Sequence, residues 1–277
     1  MSDPRRQRTV LEPPSAWQPL GLRELWDFRE LLAILTWRDV SVRYKQSLVG
    51  FGWVVIQPLA TAFLFTVIFG VFARLPSEGL PYPVFTYCAL LPWNYFARSL
   101  TDSSASLVGG TNLITKVYFP RLILPLSRVL AGLVDFVVSF VVLLGLMAWY
   151  GVRPTWGLLL VPAFLALAMG AALAVGLWLT ALNVRYRDVG FVVPFLAQFW
   201  LYATPVAYSA EIVPARWQWL YALNPMVGVV EGFRWALLGK APPTASTILV
   251  SLAIVIPLLI GGLYYFRRAE QTVVDYL

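Results

Sequence analysis

The chain is 277 residues long, 59% hydrophobic and only 13% charged, with a mean hydropathy of +0.71, too apolar for an ordinary soluble domain, in which about a quarter of residues are charged. Its net charge of +7 comes with no histidine and one cysteine, which excludes a histidine-based catalytic triad, an ordinary zinc centre and an intrachain disulfide. The composition is that of a polytopic membrane protein. Crossing a hydrocarbon core about 30 Å thick takes about 20 apolar residues per helix, and the apolar blocks here are long and continuous rather than alternating, as helices and not barrel strands require.

Residues 1–21 are polar and proline-rich and read as a flexible cytoplasmic tail, not a secretory signal. Residues 22–48 follow as a cytoplasmic interface helix and connector. Between 22 and 35, Leu25, Phe28, Leu32 and Leu35 recur at helical spacing opposite Arg23, Asp27 and Glu30, predicting an amphipathic helix in the headgroup plane; a surface or bundle helix is the plainer alternative. Thr36 and Asp39 have capping-box spacing, predicting a fresh helical turn and a change of direction. Trp37, Val40, Tyr44 and Leu48 would form its apolar face, leaving Arg38, Arg43 and Lys45 for phosphates or a protein partner.

Residues 49–277 read as a transmembrane domain with six spans, at about 50–72, 83–107, 122–150, 156–182, 189–208 and 244–266. Cations gather before the first span, at Lys116 and Arg121, at Arg185 and Arg187, and at Arg267 and Arg268, so the positive-inside rule places both termini in the cytoplasm. They are scattered over loops without a reader motif, which argues against nucleic acid as a partner.

The connection between spans two and three, GGTNLITKVYFPRLILP, is apolar where a solvated loop would be polar. Residues 112–118 predict about two turns of helix stopped by Pro120. A short helix displaying Leu113, Ile114, Val117, Tyr118 and Phe119, with Asn112, Lys116 and Arg121 around them, suits a groove in another protein; folding back onto the bundle is the alternative. The tight NVRYRD turn at 183–188 makes spans four and five antiparallel neighbours, and Gly170, Ala174 and Gly176 permit close helix contact. Between 204 and 244, two short apolar pieces are divided by Pro214, Asn224 and Pro225 and ended by Gly239 and Pro242. Too short to cross, they read as re-entrant or interfacial outer helices, with a gate segment at 209–243.

Four charges, Arg98, Asp102, Arg128 and Asp135, fall in or at the ends of predicted spans, where each costs roughly 3 kcal/mol on insertion scales and faces protein or water. They predict structural ion pairs or cavity lining, Arg128 and Asp135 sharing one helical face. Trp93, Tyr95, Phe199, Tyr202, Trp217, Trp219, Tyr221 and Trp235 are candidates to line a conduit or gate for sugars, since aromatic faces receive the C–H faces of pyranose rings; interfacial anchoring is the competing role. No catalytic residue, metal ligand or cofactor is assigned to this chain. It has no GxxxxGK[ST] loop, so ATP driving any transport is expected in another subunit.

TWRDVSVRYKQSLVGFGWVVIQP, ALLPWNYF, NLITKVYFPRLILP, NVRYRDV and LYALNPMVGVVEGFRWALLG, in this order, closely resemble the type-2 ABC exporter permeases that move lipid-linked polysaccharide (O-antigen, teichoic acid or capsule) across the bacterial inner membrane. The resemblance runs from residue 22 to the C-terminal RRAEQTVVDYL. It implies six spans per subunit, a homodimer around the translocation path, and two copies of a cytoplasmic P-loop ATPase holding ATP and Mg. It also implies an interface helix at 22–35, a coupling helix at 112–121, and an outer gate. An anionic lipid head group would then meet Arg38, Arg43 and Lys45. A membrane-embedded glycan transferase is the alternative of another class; it needs a base near the membrane surface, and the sequence has no dense carboxylate or histidine cluster to supply one.

Overall fold

The computed structural model describes residues 22–45 and 52–270, and every regular element among them is helical. The expected tail at 1–21, Leu48 and the residues at which the first span was expected to begin lie outside this range. Helices α1 (Leu22–Asp27) and α2 (Arg29–Lys45) run on from one another through Phe28, whose backbone bonds to Glu24 and Leu32 continue the helical ladder. The expected break at Thr36 is absent. The Thr36 hydroxyl donates back to the Leu32 carbonyl at 2.8 Å, an intrahelical bond that competes with capping, and Asp39 is held by other elements. The apolar face of Leu25, Phe28, Leu32 and Leu35 packs onto the protein, while Trp26, Ile34 and Trp37 point outward.

Helix α3 (Gly52–Phe65) continues as a wider π-type coil to Phe72. Its Pro58 cannot bond the carbonyl of Val54, and Ser139 of the neighbouring helix α7 (Ile123–Trp149) donates to that carbonyl at 3.4 Å, supplying the partner that lipid would not. Helix α4 (Tyr82–Ser104) lies at the centre, buried along most of its length against α3, α7 and the later helices α8 (Val161–Arg185), α9 (Val189–Tyr202) and α11 (Pro225–Leu238). Short helices α5 (Ser106–Gly109) and α6 (Thr111–Ile114) join α4 to α7, α10 (Ala215–Ala222) precedes α11, and α12 (Ala245–Glu270) closes the described chain.

By length and composition, four stretches among the described residues are suited to crossing a membrane: Gly52–Phe72, Ile123–Trp149, Trp156–Arg185 and Ala245–Glu270. The other two expected spans differ for physical reasons. Helix α4 has the length, but it is enclosed by other helices and carries Arg98 and Asp102, so its surface need not match lipid. Helix α9 has 14 residues, about 21 Å at 1.5 Å per residue, and gives way to turns at Ala203 just before Pro205.

Close packing rests on small residues. A side chain at Gly176 would collide with Ser103, and Thr180 and Asn183 donate from α8 to the carbonyls of Ser103 and Ser104 at 2.9 Å each. A side chain at Gly232 would strike the Phe164 ring. Helix α11 starts cleanly, with the Asn224 side chain accepting from Met226 N at 3.0 Å and Pro225 in its first turn, and stops at Gly239 in the left-handed region. It is buried against α4, α8 and α12.

Candidate functional site

A cavity of about 490 Å³ lies between α3, α4, α7 and α9. Along α4 it reaches from Tyr87 to Asp102, a separation of 15 residues or about 22 Å of helix. Trp93 and Tyr95 line it, with the amides of Gln57, Asn94 and Gln198 beside them. These amides had been overlooked in the sequence, although each is an isolated polar residue in an otherwise apolar stretch.

The charged end of the cavity is built by three helices. Arg43 reaches inward from α2; its Nη2 donates to Asp102 Oδ2 at 2.8 Å and its Nη1 to Asp135 Oδ2. Arg98 Nη1 is 3.0 Å from the same Asp135 oxygen, and Arg98 Nε is 3.8 Å from Asp102 Oδ2. Arg128 does not join its neighbour Asp135. Its Nε lies 3.3 Å from Asp39 Oδ2, where Ser127 also donates at 3.2 Å, while Arg38 holds the other oxygen at 2.9 Å. Asp39 is buried and its partners come from α2 and α7, so the two helices are riveted here.

These contacts sort the three candidate head-group cations. Arg43 is spent on two carboxylates, Arg38 is half-exposed beside Asp39, and Lys45 is exposed. The aromatic set also divides. Phe199 and Tyr202 sit on the outward face of α9, Trp217 and Trp219 are exposed on α10, Tyr221 donates to the Tyr208 hydroxyl at 3.2 Å, and Trp235 stands edge-on to Phe164 with centroids 6.3 Å apart. Only Trp93 and Tyr95 of that set meet at the cavity.

The loop after α5 folds as one helical turn, α6, rather than two. Leu113 and Ile114 pack on the protein and Phe119 is 3% exposed, wedged into a cluster with Leu35, Ile123 and Phe266. Phe119 is therefore an anchor and not part of a displayed face. Asn112, Lys116, Val117 and Tyr118 are exposed, Tyr118 at 82%. The Tyr118 hydroxyl donates to Glu24 Oε1 at 3.2 Å, and that carboxylate's charge pushes the hydroxyl's pKa up. Arg121 N donates to Glu270 Oε1 at 3.0 Å, its guanidinium donates to the Glu270 carbonyl, and Arg267 lies 3.8 Å from Glu24. The loop is thus clasped to both α1 and the end of α12.

On the distal side, Arg234 is 3% exposed on α11 and donates to the Val206 and Tyr208 carbonyls at 2.9 and 3.1 Å, with its guanidinium 3.6 Å from the Phe85 ring centroid. It pins the chain that follows α9. No local signal in the sequence marks Arg234 for this role.

Comparison with known proteins gives one family, described as ABC-2 type transporter, matching residues 30–238. The chain is 32% identical over 255 residues to the O-antigen export system permease protein RfbA of Myxococcus xanthus, covering 90% of this chain and 96% of that protein. It is 30% identical over 212 residues to the protein of the same name from Klebsiella pneumoniae, covering 74% and 79%. It is 24% identical over 249 residues to the polysialic acid transport protein KpsM of Escherichia coli, covering 84% and 91%.

Proposed function

The chain belongs to the ABC-2 type transporter family, and on that footing we propose that it is the permease subunit of an exporter carrying O-antigen-type, lipid-linked polysaccharide across the bacterial inner membrane, driven by a separate ATPase. The observation that carries this reading is the 32% identity sustained over 96% of the Myxococcus xanthus export permease. The weaker likeness to the polysialic acid transporter leaves capsule and teichoic acid export as the second reading. A transferase is disfavoured because Asp102 and Asp135 are both committed to arginine ion pairs, so neither stands as an unengaged base for group transfer.

In this reading α4 and α9 complete a set of six spans, both termini are cytoplasmic, and α10 and α11 lie on the periplasmic side. Two copies of the chain enclose the path, with membrane lipid around them. Two copies of a P-loop ATPase bind ATP and Mg below. The exposed residues Asn112, Lys116, Val117 and Tyr118 dock that ATPase, and Leu113, Ile114, Phe119 and Arg121 hold the docking loop to the bundle. A push on this loop reaches α1 through Tyr118 and Glu24, and α12 through Arg121 and Glu270. Helix α2 then moves with α7 through Asp39, as a rigid body. Trp93 and Tyr95 are buried in the cavity wall, and their rings meet passing sugars only as the helices around the cavity part.

Deleting the gene in its host tests the reading. Surface polysaccharide disappears and lipid-linked glycan accumulates on the cytoplasmic side; unchanged surface polysaccharide in the deletion strain refutes it.

A further inference from the structure

We propose that the segment joining α9 to α10 is a pH-sensitive latch: a proton on Glu231 closes it onto α11, and loss of that proton lets three carboxylates, Glu78, Glu211 and Glu231, drive it open. A second cavity, of about 290 Å³, lies on the distal side and is lined by all three. They come from three pieces of chain: Glu78 from the connection ahead of α4, Glu211 from the single turn Ala210–Ile212, and Glu231 from α11. Among the described residues none of the three takes part in an ion pair. Acids that share one small space repel one another, and the repulsion falls when the enclosed one takes up a proton. That this face meets the fluid outside the membrane rests on the topology of the export reading; the latch itself rests on geometry.

The two cations at the cavity make their hydrogen bonds to backbone carbonyls: Arg234 to those of Val206 and Tyr208, Lys240 to that of Glu78. With the Tyr82 hydroxyl on the Ala207 carbonyl, these bonds tie down the same pieces of chain that carry Glu78 and Glu211. Hydrogen bonds hold the latch shut while like charges work to part it, the balance a two-position element needs. The remaining lining is uncharged: α10 presents Gln218 and Tyr221, α12 and its approach present Thr247 and Thr244, and α4 and α8 contribute nothing. Burial raises the Glu231 carboxyl above the ordinary glutamate value against the pull of Arg234, and Glu78 and Glu211 add to the rise. Burial lowers Arg234 only to about 10 and pushes the Tyr221 hydroxyl up, so neither changes charge alongside Glu231. The closed form, in which Glu231 is enclosed, therefore binds the proton more tightly than an open one. Closure is favoured as pH falls and is lost as pH rises through the Glu231 value.

The test places nitroxide labels at Pro76→Cys and Ile212→Cys, exposed positions on the two tied pieces, in the full chain in nanodiscs. Double electron–electron resonance reads the distances between them from about pH 5 to about pH 8, above the ordinary glutamate range. One short distance dominates in acid, and a longer one grows as pH rises. Glu231→Gln, neutral at every pH, keeps the short distance throughout. Should that variant fail to fold, Glu211→Gln, at an exposed position, removes one repelling charge; it lowers the longer-distance population at about pH 8 and leaves that at about pH 5 unchanged. Distances that do not change with pH, a full pH response in Glu231→Gln, or an undiminished open population in Glu211→Gln overturns the latch. If the distances respond while a thiol at Trp219→Cys is labelled only from the cytoplasmic side, the topology of the export reading falls and the latch stands. Unresponsive distances with that thiol labelled from outside remove the latch alone.

Discussion

Arg43 of α2 and Asp135 of α7 stand 92 residues apart in sequence and form an ion pair inside the bundle. With the contacts of Asp39, this pairing makes α2 part of the helical scaffold.

Removing Arg43 leaves Asp102 and Asp135 sharing Arg98 alone. Breaking one side of a largely buried pair costs about 3–5 kcal/mol, so Arg43→Ala lowers the melting temperature of the purified protein markedly, and adding Asp135→Asn restores part of the loss. Thermal melts of the two single variants and the double variant give the coupling directly; strictly additive losses contradict an ion pair.

Asp39 is 5% exposed and gathers Arg38, Ser127 and Arg128. Asp39→Ala strands a serine and two cations at a helix contact and costs about 2–4 kcal/mol. The matched variant Arg38→Ala, whose side chain is 43% exposed, shifts stability by less than about 1 kcal/mol. Denaturation of both variants in the same detergent checks the ordering, and equal losses count against Asp39 as the rivet.

Tyr118 and Phe119 are sequence neighbours with opposite surroundings. Tyr118→Asp leaves the melting temperature within the range of a surface change, about 0.5 kcal/mol, and abolishes coupling to the ATPase. Phe119→Asp buries a charge in an apolar cluster and prevents folding. Expression and gel filtration of the two proteins, with ATPase activity in the complex, separate the effects; a folded Phe119→Asp variant contradicts the anchor.

These neighbours also mark where sequence reading ends. Helix positions, the tight turn after α8, and the breaks at Pro214 and Pro225 follow from local chemistry and recur in the fold. Arg98, Asp102, Arg128 and Asp135 were visible because charge in an apolar run is costly whatever its partner. Their partners were not. Arg128 shares a helical face with Asp135 but bonds Asp39, because contact depends on which helix lies opposite and not on sequence spacing. Thr36 and Asp39 carry a capping pattern that is overridden by an intrahelical bond and by α7. Phe119 looked displayed for the same reason: an apolar loop residue points toward an outside partner or an inside one, and only packing decides.

Cys88, the one cysteine in the chain, is buried and shielded from thiol reagents, so the unmodified protein is a ready background for topology. Asn112→Cys and Trp219→Cys place thiols at opposite ends of the bundle. A membrane-impermeant maleimide applied to intact cells labels Trp219→Cys and spares Asn112→Cys until the membrane is opened. Labelling of both from the same side contradicts the six-span arrangement with cytoplasmic termini.

The most direct measurement places the purified permease in liposomes, with and without its ATPase, and follows movement of lipid-linked polysaccharide across the bilayer. Movement occurs only when both proteins and ATP are present, and it stops with Tyr118→Asp although ATP binding by the partner persists. Transfer of the glycan by the permease alone, at the rate of the full complex, contradicts the account.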